Sequence, residues 1–315
     1  MKTMKNKISI GLIGCTVALA AVSLLNACKT SKPATTAGNG YPSFYKVGHR
    51  GTRGLMPENT IPAMYKGLTT GANTIEFDVH ITKDGQVVVY HDASFTPSYT
   101  TSPEGKDIPA EKRNDYIFYQ MNYADIRPFI IGEKFYPAYP EQQKMRSYAP
   151  LLSEMIDSVE AYTKANHLPA AYYLLEIKSS EKTDGKEQPA PEEYITKLMA
   201  VKQLQPLGKR LLVQSFDMRP LQVIHRRYPD IKLGFLTDDK KNGFDQHLSQ
   251  LGFTPFFYNP SYKLVTPELI GKCHDKHIQI VPWTVDDLTE MKRLKAMGVD
   301  GIITDYPNRL QAAGI

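Results

Sequence analysis

The chain has 315 residues, of which 42% are hydrophobic and 23% are charged, and this balance excludes an intrinsically disordered protein. Its formal net charge is +5, but residues 1–27 contain three lysines and no acidic residue, so the remainder carries 35 basic and 33 acidic side chains. A nearly neutral body without a basic stripe offers no electrostatic basis for a nucleic-acid partner. A small anionic ligand would therefore have to be held by a few placed cations.

The N-terminal segment has the features of an export signal. Lys2, Lys5 and Lys7 form a positive region, and an uncharged, largely apolar stretch follows over residues 8–25. A short apolar stretch that ends in small residues is typical of a secretory signal peptide, so we predict that residues 1–27 are removed. The alternative is an uncleaved membrane anchor, because the stretch is about long enough to span a bilayer.

The end of this segment, Leu25-Asn26-Ala27-Cys28, resembles a bacterial lipobox. The resemblance implies that Cys28 becomes the lipidated first residue of the mature chain and anchors it to a membrane. Residues 28–43, which include Lys, Ser, Thr, Pro and Gly, are predicted to form a flexible tether. We therefore expect an exported bacterial lipoprotein whose folded body faces the periplasm or the cell surface.

From residue 44 onward, short β-rich segments alternate with helical segments, which is typical of a parallel sheet. The predicted strands cover residues 44–49, 74–79, 172–177, 211–216, 231–236, 255–258, 279–284 and 301–304. The predicted helices cover residues 60–70, 151–166, 191–204, 218–227, 243–251, 266–276 and 286–297. This alternation predicts an α/β fold, a TIM (β/α)8 barrel over residues 44–315. A doubly wound open sheet is the alternative, but no glycine-rich fingerprint opens the first helix.

Two segments depart from the alternation. Residues 80–92 contain Asp84-Gly85 between two β-rich runs, which predicts a β-hairpin at the face where barrel enzymes have their active sites. Residues 93–150 are rich in Tyr, Pro and charged residues and show little periodicity. Because connections of this length are usually functional, we predict an insertion there.

The remaining cysteine and five histidines have structural interpretations. Once Cys15 leaves with the signal peptide and Cys28 takes lipid, Cys273 has no disulfide partner and is predicted to be a packed thiol in a helix. Surface positions in or beside helices are expected for His167, His225, His247, His274 and His277.

Carboxylates gather on two neighbouring barrel strands. Glu76 and Asp78 are two residues apart on the second strand, so both side chains point to the same face. Glu176 and Lys178 repeat this spacing on the next barrel strand. Burying unpaired carboxylates would be very costly, and a divalent cation that prefers hard oxygen ligands, Ca²⁺ or Mg²⁺, resolves this.

Six motifs occur in a specific order and spacing. They are HRGTRGLMPENT (49–60), GANTIEFDVHITKDGQVVVYHD (71–92), LEIK (175–178), QSF (214–216), PWTVDD (282–287) and GIITDYP (301–307). Together they strongly resemble the glycerophosphodiester phosphodiesterase family over about residues 44–308. The resemblance implies a TIM-barrel enzyme that hydrolyses a glycerophosphodiester, a small-molecule phosphodiester, to glycerol 3-phosphate and an alcohol.

The resemblance also implies a role for individual residues. Histidine suits proton transfer near neutral pH, and a metal with nearby cations stabilises charge on phosphoryl oxygens. The implied residues are His49 and His91 as the general acid/base pair; Glu76, Asp78 and Glu176 as ligands of one divalent metal ion; and Arg50, Lys178 and Trp283 as phosphate and substrate contacts.

Each role has a structural alternative. The three carboxylates could form a salt-bridged barrel layer with Lys178 as its counter-ion, and Trp283 could be a core residue. Glu58 is placed near the site by the resemblance, where it could make a structural hydrogen bond. Asp286 stands where many relatives have Asn, and its carboxylate could bind substrate hydroxyls or cap the next helix. The preferred head group therefore stays open.

Two rival functions follow from these alternatives. The first keeps the fold and changes the substrate to a lysophospholipid or another phosphodiester. The second is a lipoprotein that binds phosphodiesters without turnover, although a binder does not need an acid/base pair. The sequence shows no obligate protein partner, and it leaves open whether water or the substrate's own hydroxyl attacks the phosphorus.

Overall fold

The computed structural model describes Met1 and residues 40–315, so the predicted signal peptide (1–27) and most of the predicted tether (28–43) lie outside the described residues. The strands are β1 Tyr45–Gly48, β2 Thr74–Ile81, β3 Val87–Val89, β4 Thr100–Thr101, β5 Ile130–Ile131, β6 Tyr172–Ile177, β7 Leu211–Ser215, β8 Lys232–Thr237, β9 Phe257–Pro260, β10 Gln279–Ile280 and β11 Gly301–Thr304. The α-helices are α1 Ile61–Thr69, α2 Tyr123–Ile126, α3 Leu152–Ala165, α4 Pro191–Met199, α5 Met218–Arg227, α6 Phe244–Leu251, α7 Pro267–Asp275 and α8 Leu288–Met297. Among the described residues, no helix has the length and apolar character needed to cross a membrane.

The parallel strands pair in the order β10-β9-β8-β7-β6-β2-β1-β11. Backbone hydrogen bonds join β10 and the segment after it to β11 and the residue before it: Asp300 N donates to Ile280 O, Ile303 N to Pro282 O, and Val285 N to Ile303 O. The sheet thereby closes on itself with helices outside it. The predicted TIM barrel is confirmed, and each predicted strand and helix has an observed counterpart.

Helix α1 shows how the local sequence sets the limits and the packing of one element. Thr60 is extended, and its side chain accepts a hydrogen bond from Ala63 N, so it caps the helix. Ala63, Met64 and Gly67 form the buried face. A Cβ on Gly67 would clash with the carbonyl oxygen of Gly51, so glycine allows the helix to pack directly on the loop after β1.

Strand β2 separates apolar from polar side chains. All of its residues are buried, and the odd-numbered ones from Ile75 to Ile81 pack in the main apolar cluster between sheet and helices. Glu76 and Asp78 point the other way, into the barrel. Beneath them, a second apolar cluster that includes Tyr45 and Leu174 fills the barrel interior. The polar layer therefore lies on an apolar floor, at the C-terminal ends of the strands.

The hairpin predicted at residues 80–92 is confirmed. Strand β3 runs antiparallel to the end of β2, with Val79 opposite Val89 and Ile81 opposite Val87. Gly85 has a φ of 77° in the turn, a conformation that glycine adopts without a steric penalty. Among the strands, β3 pairs only with β2, and its other edge bridges to Leu151, so it lies outside the barrel. His91, which follows β3, lines the cleft at the barrel mouth.

Residues 93–150 form a layer over one side of the barrel mouth. Strands β4 and β5 pair in antiparallel fashion, and most of the buried side chains are aromatic or branched. The layer contacts the loop after β1 through Gln142 Nε2, which donates to Arg53 O, and through Tyr99 OH, which donates to Glu58 Oε1. The insertion thus supports the rim of the barrel.

Two expectations outside the barrel mouth have different outcomes. Cys273 is fully buried in α7, as predicted. The expectation of a surface position is wrong for His247, which is buried and whose Nδ1 lies 2.8 Å from Tyr258 Oη. Helix α6 turns this ring towards β9, where the tyrosine hydroxyl satisfies it. The other four histidines of that set are exposed.

Candidate active site

A cleft of about 230 Å³ opens at the C-terminal ends of the barrel strands. Seven of the eight predicted site residues line it, and the eighth, Asp78, lies beneath them. The seven are His49, Arg50, Glu76, His91, Glu176, Lys178 and Trp283. The structure therefore brings together residues that the sequence spreads over more than 230 positions.

The loop after β1 turns back into the barrel mouth and lies against β2. Arg50 and Gly51 both have positive φ values, 50° and 83°, and this conformation is rare for a residue with a side chain. Arg50 N donates to Glu76 Oε2 at 2.8 Å, and Gly51 N donates to the Glu76 carbonyl oxygen. The tight turn places the Arg50 side chain directly above the carboxylates of β2.

The carboxylates of Glu76, Asp78 and Glu176 form one buried cluster. One oxygen from each residue lies within 4.8 Å of the others. Asp78 and Glu176 are opposite each other in the register of β2 and β6. Burial raises the pKa of Glu76 well above its ordinary value, and repulsion from Asp78 and Glu176 adds to the shift. The cluster therefore resists carrying three negative charges without a cation.

The donor set fits a divalent metal ion. Glu76 Oε1 is buried and accepts no hydrogen bond from any described residue. An orphaned carboxylate oxygen beside two other carboxylates is an oxygen-only ligand set of the kind that Ca²⁺ and Mg²⁺ prefer. Glu76, Asp78 and Glu176 would hold the ion, which agrees with the prediction that a divalent metal binds here.

Two cations lie on the same cluster. Lys178 Nζ is 2.6 Å from Glu176 Oε1 and 3.2 Å from Asp78 Oδ1. Arg50 Nε is 3.5 Å from Asp78 Oδ2, while its Nη1 pairs with Glu58 at 2.6 Å. Although burial acts in the opposite direction, Lys178 and the other nearby positive groups hold the pKa of Asp78 far below its usual range. The salt-bridged layer considered as an alternative thus exists around Asp78 and Glu176, but it leaves Glu76 Oε1 unsatisfied.

The two predicted acid/base histidines are held in the same way. His49 Nδ1 lies 2.6 Å from Asp305 Oδ1, and His91 Nδ1 lies 2.6 Å from Asp92 Oδ1. A carboxylate at Nδ1 fixes the ring and leaves Nε2 to exchange protons. Burial lowers the pKa of His49, and the Asp305 carboxylate partly opposes the shift. His49 Nε2 points towards the cluster, 4.0 Å from Glu76 Oε2.

Four further residues belong to the site although the sequence did not mark them individually: Asp305, Asp92, Phe216 and Arg53. Asp305 lies in the motif GIITDYP, and a closed barrel must place the end of its last strand beside the end of its first, so topology could have found it. Asp92 directly follows His91 in the chain, which was a usable signal. Phe216 and Arg53 line the cleft and lie within the motifs QSF and HRGTRGLMPENT, so those motifs were the usable signal.

The structure places Trp283 at the cleft and Asp286 against the end of β11. Trp283 lines the cleft, where its Nε1 donates to Asn259 O and its ring packs edge-on against Phe216. Asp286 instead accepts hydrogen bonds from Asp305 N and the Thr304 hydroxyl. Burial, with repulsion from Asp305, raises the pKa of Asp286 to about 7. The helix-cap alternative for Asp286 is wrong, because Asp287 caps α8 and Asp286 supports the Asp305 backbone.

We expect Asp305→Asn to lower kcat by about 10- to 100-fold with little change in KM, the usual scale for residues that orient a ligand or base. The substitution keeps the size of the side chain but removes its negative charge. Because that charge raises the pKa of His49, its loss should move the limb of the pH–rate profile that reports His49 to lower pH. Steady-state kinetics between about pH 5 and 9 measure both effects. An unchanged profile would contradict the orienting role.

Comparison with known proteins agrees with this geometry. The model of the glycerophosphoryl diester phosphodiesterase family matches residues 49–309. A protein of Caldanaerobacter subterraneus subsp. tengcongensis named glycerophosphodiester phosphodiesterase is 31% identical over 84% of this chain and 95% of its own length.

Solved structures have the same architecture. One from Silicibacter pomeroyi, assigned as a glycerophosphoryl diester phosphodiesterase, has 30% identity and a TM-score of 0.76 over 87% of this chain and 94% of its own. A phosphodiesterase of Oleispira antarctica, solved with the product sn-glycerol-3-phosphate, has the same fold at 21% identity, with a TM-score of 0.65 over 85% of this chain and 95% of its own. The chain belongs to the glycerophosphoryl diester phosphodiesterase family.

Proposed function

We propose that the protein is a glycerophosphodiester phosphodiesterase that hydrolyses its substrate to glycerol 3-phosphate and an alcohol. The observation that carries this proposal is the pair of histidines, each with Nδ1 on an aspartate, in the same cleft as a buried three-carboxylate cluster. Membership of the family supports the same reaction. A protein that only bound phosphodiesters would need neither oriented histidine.

His49 and His91 divide the proton transfers between them. One removes the proton from the attacking hydroxyl and the other protonates the leaving alkoxide. If water attacks, glycerol 3-phosphate forms directly; if the glycerol hydroxyl attacks, a cyclic glycerol phosphate forms first and water then opens it. Asp305 and Asp92 keep each ring in one orientation and stabilise it while it is protonated.

The cationic residues bind and orient the phosphate. Lys178 and Arg50 face the same cleft as the histidines, and each is restrained by carboxylates before substrate arrives. This restraint means that little reorganisation is needed as charge grows on the phosphoryl oxygens. When bound by Glu76, Asp78 and Glu176, a divalent ion supplies further electrostatic stabilisation of that charge. Ca²⁺ and Mg²⁺ are the ions that this oxygen-only set favours.

Incubation of the purified protein with glycerophosphocholine, coupled to detection of sn-glycerol 3-phosphate, tests the function. We expect metal-dependent formation of glycerol 3-phosphate with a kcat in the ordinary enzyme range, on the order of 1–10³ s⁻¹. Lysophosphatidylcholine is the matched comparison, because it differs by an acyl chain. Faster choline release from the lysophospholipid would show that the substrate class is wrong, and binding without turnover of either would contradict an enzyme.

We also propose that the protein is exported and anchored to a bacterial membrane by a lipid on Cys28, although this part of the chain lies outside the described residues. The described body begins beside the N-terminal ends of the barrel strands, where Tyr41 packs on Phe256 and the Gly40 carbonyl accepts a hydrogen bond from Tyr172. The predicted tether therefore joins the described body at the N-terminal ends of the strands.

Cys28→Ser should release the protein from the membrane into the soluble fraction, because a serine cannot be lipidated through a thioether. Fractionation of cells that express the wild type and the variant measures this directly. Cys273→Ser is the matched control and should stay with the membrane, since its thiol is buried in α7. Membrane retention of Cys28→Ser would favour the uncleaved apolar anchor.

A further inference from the structure

A second cleft of about 270 Å³ adjoins the first at the barrel mouth. One wall is the end of the β2–β3 hairpin, and the other is the loop that follows β6. The two clefts share His91, Glu176, Lys178 and Phe216. A phosphodiester carries two organic substituents on one phosphorus. A phosphate bound at the shared residues would therefore direct one substituent into each cleft.

The two clefts differ in charge. Three cationic side chains and two carboxylates line the first cleft, whereas Lys178 is the single cationic side chain among the described residues that line the second. The second cleft has three carboxylates: Asp92, Glu176 and Glu187. Glu176 and Lys178 line both clefts, so the charge difference comes from two arginines and one further carboxylate in the first cleft and from Asp92 and Glu187 in the second. A positively charged substituent is therefore favoured in the second cleft and disfavoured in the first.

Glu187 is the carboxylate that is free to meet a ligand. Asp92 is engaged at both oxygens, with His91 at 2.6 Å and Arg113 at 2.7 Å. Glu187 is partly buried, and its carboxylate forms no ion pair or hydrogen bond with the residues that the structure describes. Lys182 and Lys186 are on the same loop, but neither of them lines the cleft.

The loop that carries Glu187 is held in place. Glu187 N donates to Thr183 O, and Gly185 N donates to Gln188 O. The buried Gln188 side chain donates to Ser180 O and Asp184 and accepts from the Thr183 hydroxyl. Asp184 is in turn paired with Arg219 at 2.6 Å. Little ordering of the loop is therefore needed when a ligand binds.

Phe216 adds an aromatic surface between the clefts. Its side chain follows β7, is 41% exposed and packs edge-on against Trp283, with ring centroids 5.3 Å apart. An exposed ring in a cleft that also has an unpaired carboxylate is a favourable environment for an alkylammonium group, because the ring face attracts cations. The apolar methyl or methylene groups of such a ligand also cover the ring.

We propose that the second cleft is the subsite for the alcohol part of the substrate, and that Glu187 and Phe216 select an alcohol that carries an ammonium group. The glycerol phosphate part then occupies the first cleft. This assignment rests on the proposed function and adds the class of leaving alcohol to it.

The test compares kcat/KM for glycerophosphocholine, whose alcohol is cationic, with kcat/KM for glycerophosphoglycerol, whose alcohol is neutral. In Glu187→Gln, the choline-to-glycerol ratio should fall about threefold to fivefold, the scale of one partly exposed ion pair. Glu187→Lys should lower the ratio further, and Phe216→Leu should lower it about threefold. Glu181→Gln, on the same loop but outside the cleft, should keep the wild-type ratio.

If Glu187→Gln and Glu187→Lys leave the ratio of kcat/KM values unchanged, the subsite assignment is overturned. This includes the case in which kcat/KM falls equally for both substrates. If the wild type hydrolyses neither compound, the proposed function is wrong. The subsite is then decided by calorimetric binding of the two compounds to the same proteins. Weaker binding of glycerophosphocholine to Glu187→Gln, relative to glycerophosphoglycerol, supports it, and equal binding overturns it.

Discussion

His49→Ala and His91→Ala should each lower kcat by a factor on the order of 10² or more, because each variant loses a group that transfers a proton in the reaction. Both rings lie in the cleft with Nδ1 held by an aspartate, and no other histidine among the described residues lines this cleft. Steady-state kinetics with glycerophosphocholine measure the loss. The double variant should be scarcely slower than either single one, since the two groups act in one reaction.

His274→Ala is the matched control for these variants. His274 also pairs with an aspartate, Asp300 at 3.0 Å, but it lies in α7 and is exposed, away from the cleft. Its loss should leave kcat within about twofold, because surface substitutions away from special features have small effects. Rates near the wild type in His49→Ala or His91→Ala would contradict the role of that histidine.

Removal of the divalent ion should abolish activity and also change how stability depends on pH. In the metal-free protein, the pKa of Glu76 is raised, so folding favours its protonated form. The stabilisation of the folded state by protonated Glu76 is fully present below the unfolded pKa of about 4.3. It is lost as pH rises through the higher pKa of the folded state. Metal binding needs the ionised form, so the metal should stabilise the fold more at pH 8 than at pH 5.

The measurement is thermal unfolding with excess Ca²⁺ or Mg²⁺ and with excess EDTA, together with activity under the same conditions. An ion at a concentration of about 100 Kd should stabilise the folded state by about 2.7 kcal/mol. Glu76→Gln should be inactive, yet more stable than the wild type in EDTA at pH 8, because it removes one of three crowded charges. Glu133→Gln, an exposed glutamate paired with Arg146, is the matched control. Full activity in EDTA with an unchanged Tm would show that the metal assignment is wrong.

The barrel was predictable because its signals are local. Most barrel strands are short apolar runs between helical segments, and Asp84-Gly85 between two β-rich runs predicted the hairpin. The spacing of Glu76 and Asp78 by two residues sufficed to place both carboxylates on one face. These inferences need only the chain direction and the period of a strand.

Contacts between distant segments were not predictable in the same way. His247 was expected at the surface, but burial depends on how α6 is rotated against β9, which helical periodicity alone left open. Asp286 was considered for the substrate or for a helix cap, and only the closed barrel shows it bonded to the backbone of Asp305.

The sequence by itself determined the fold class, the family and the residue types that carry the chemistry, since these follow from local patterns and motifs. The tertiary structure alone decided how those residues are held. It joins His49 to Asp305 across 256 residues by closing the last strand on the first. It also places the loop of Glu187 beside the hairpin of His91, which creates the second cleft. Such pairings arise when the sheet closes and the loops pack, so no local pattern in the chain encodes them.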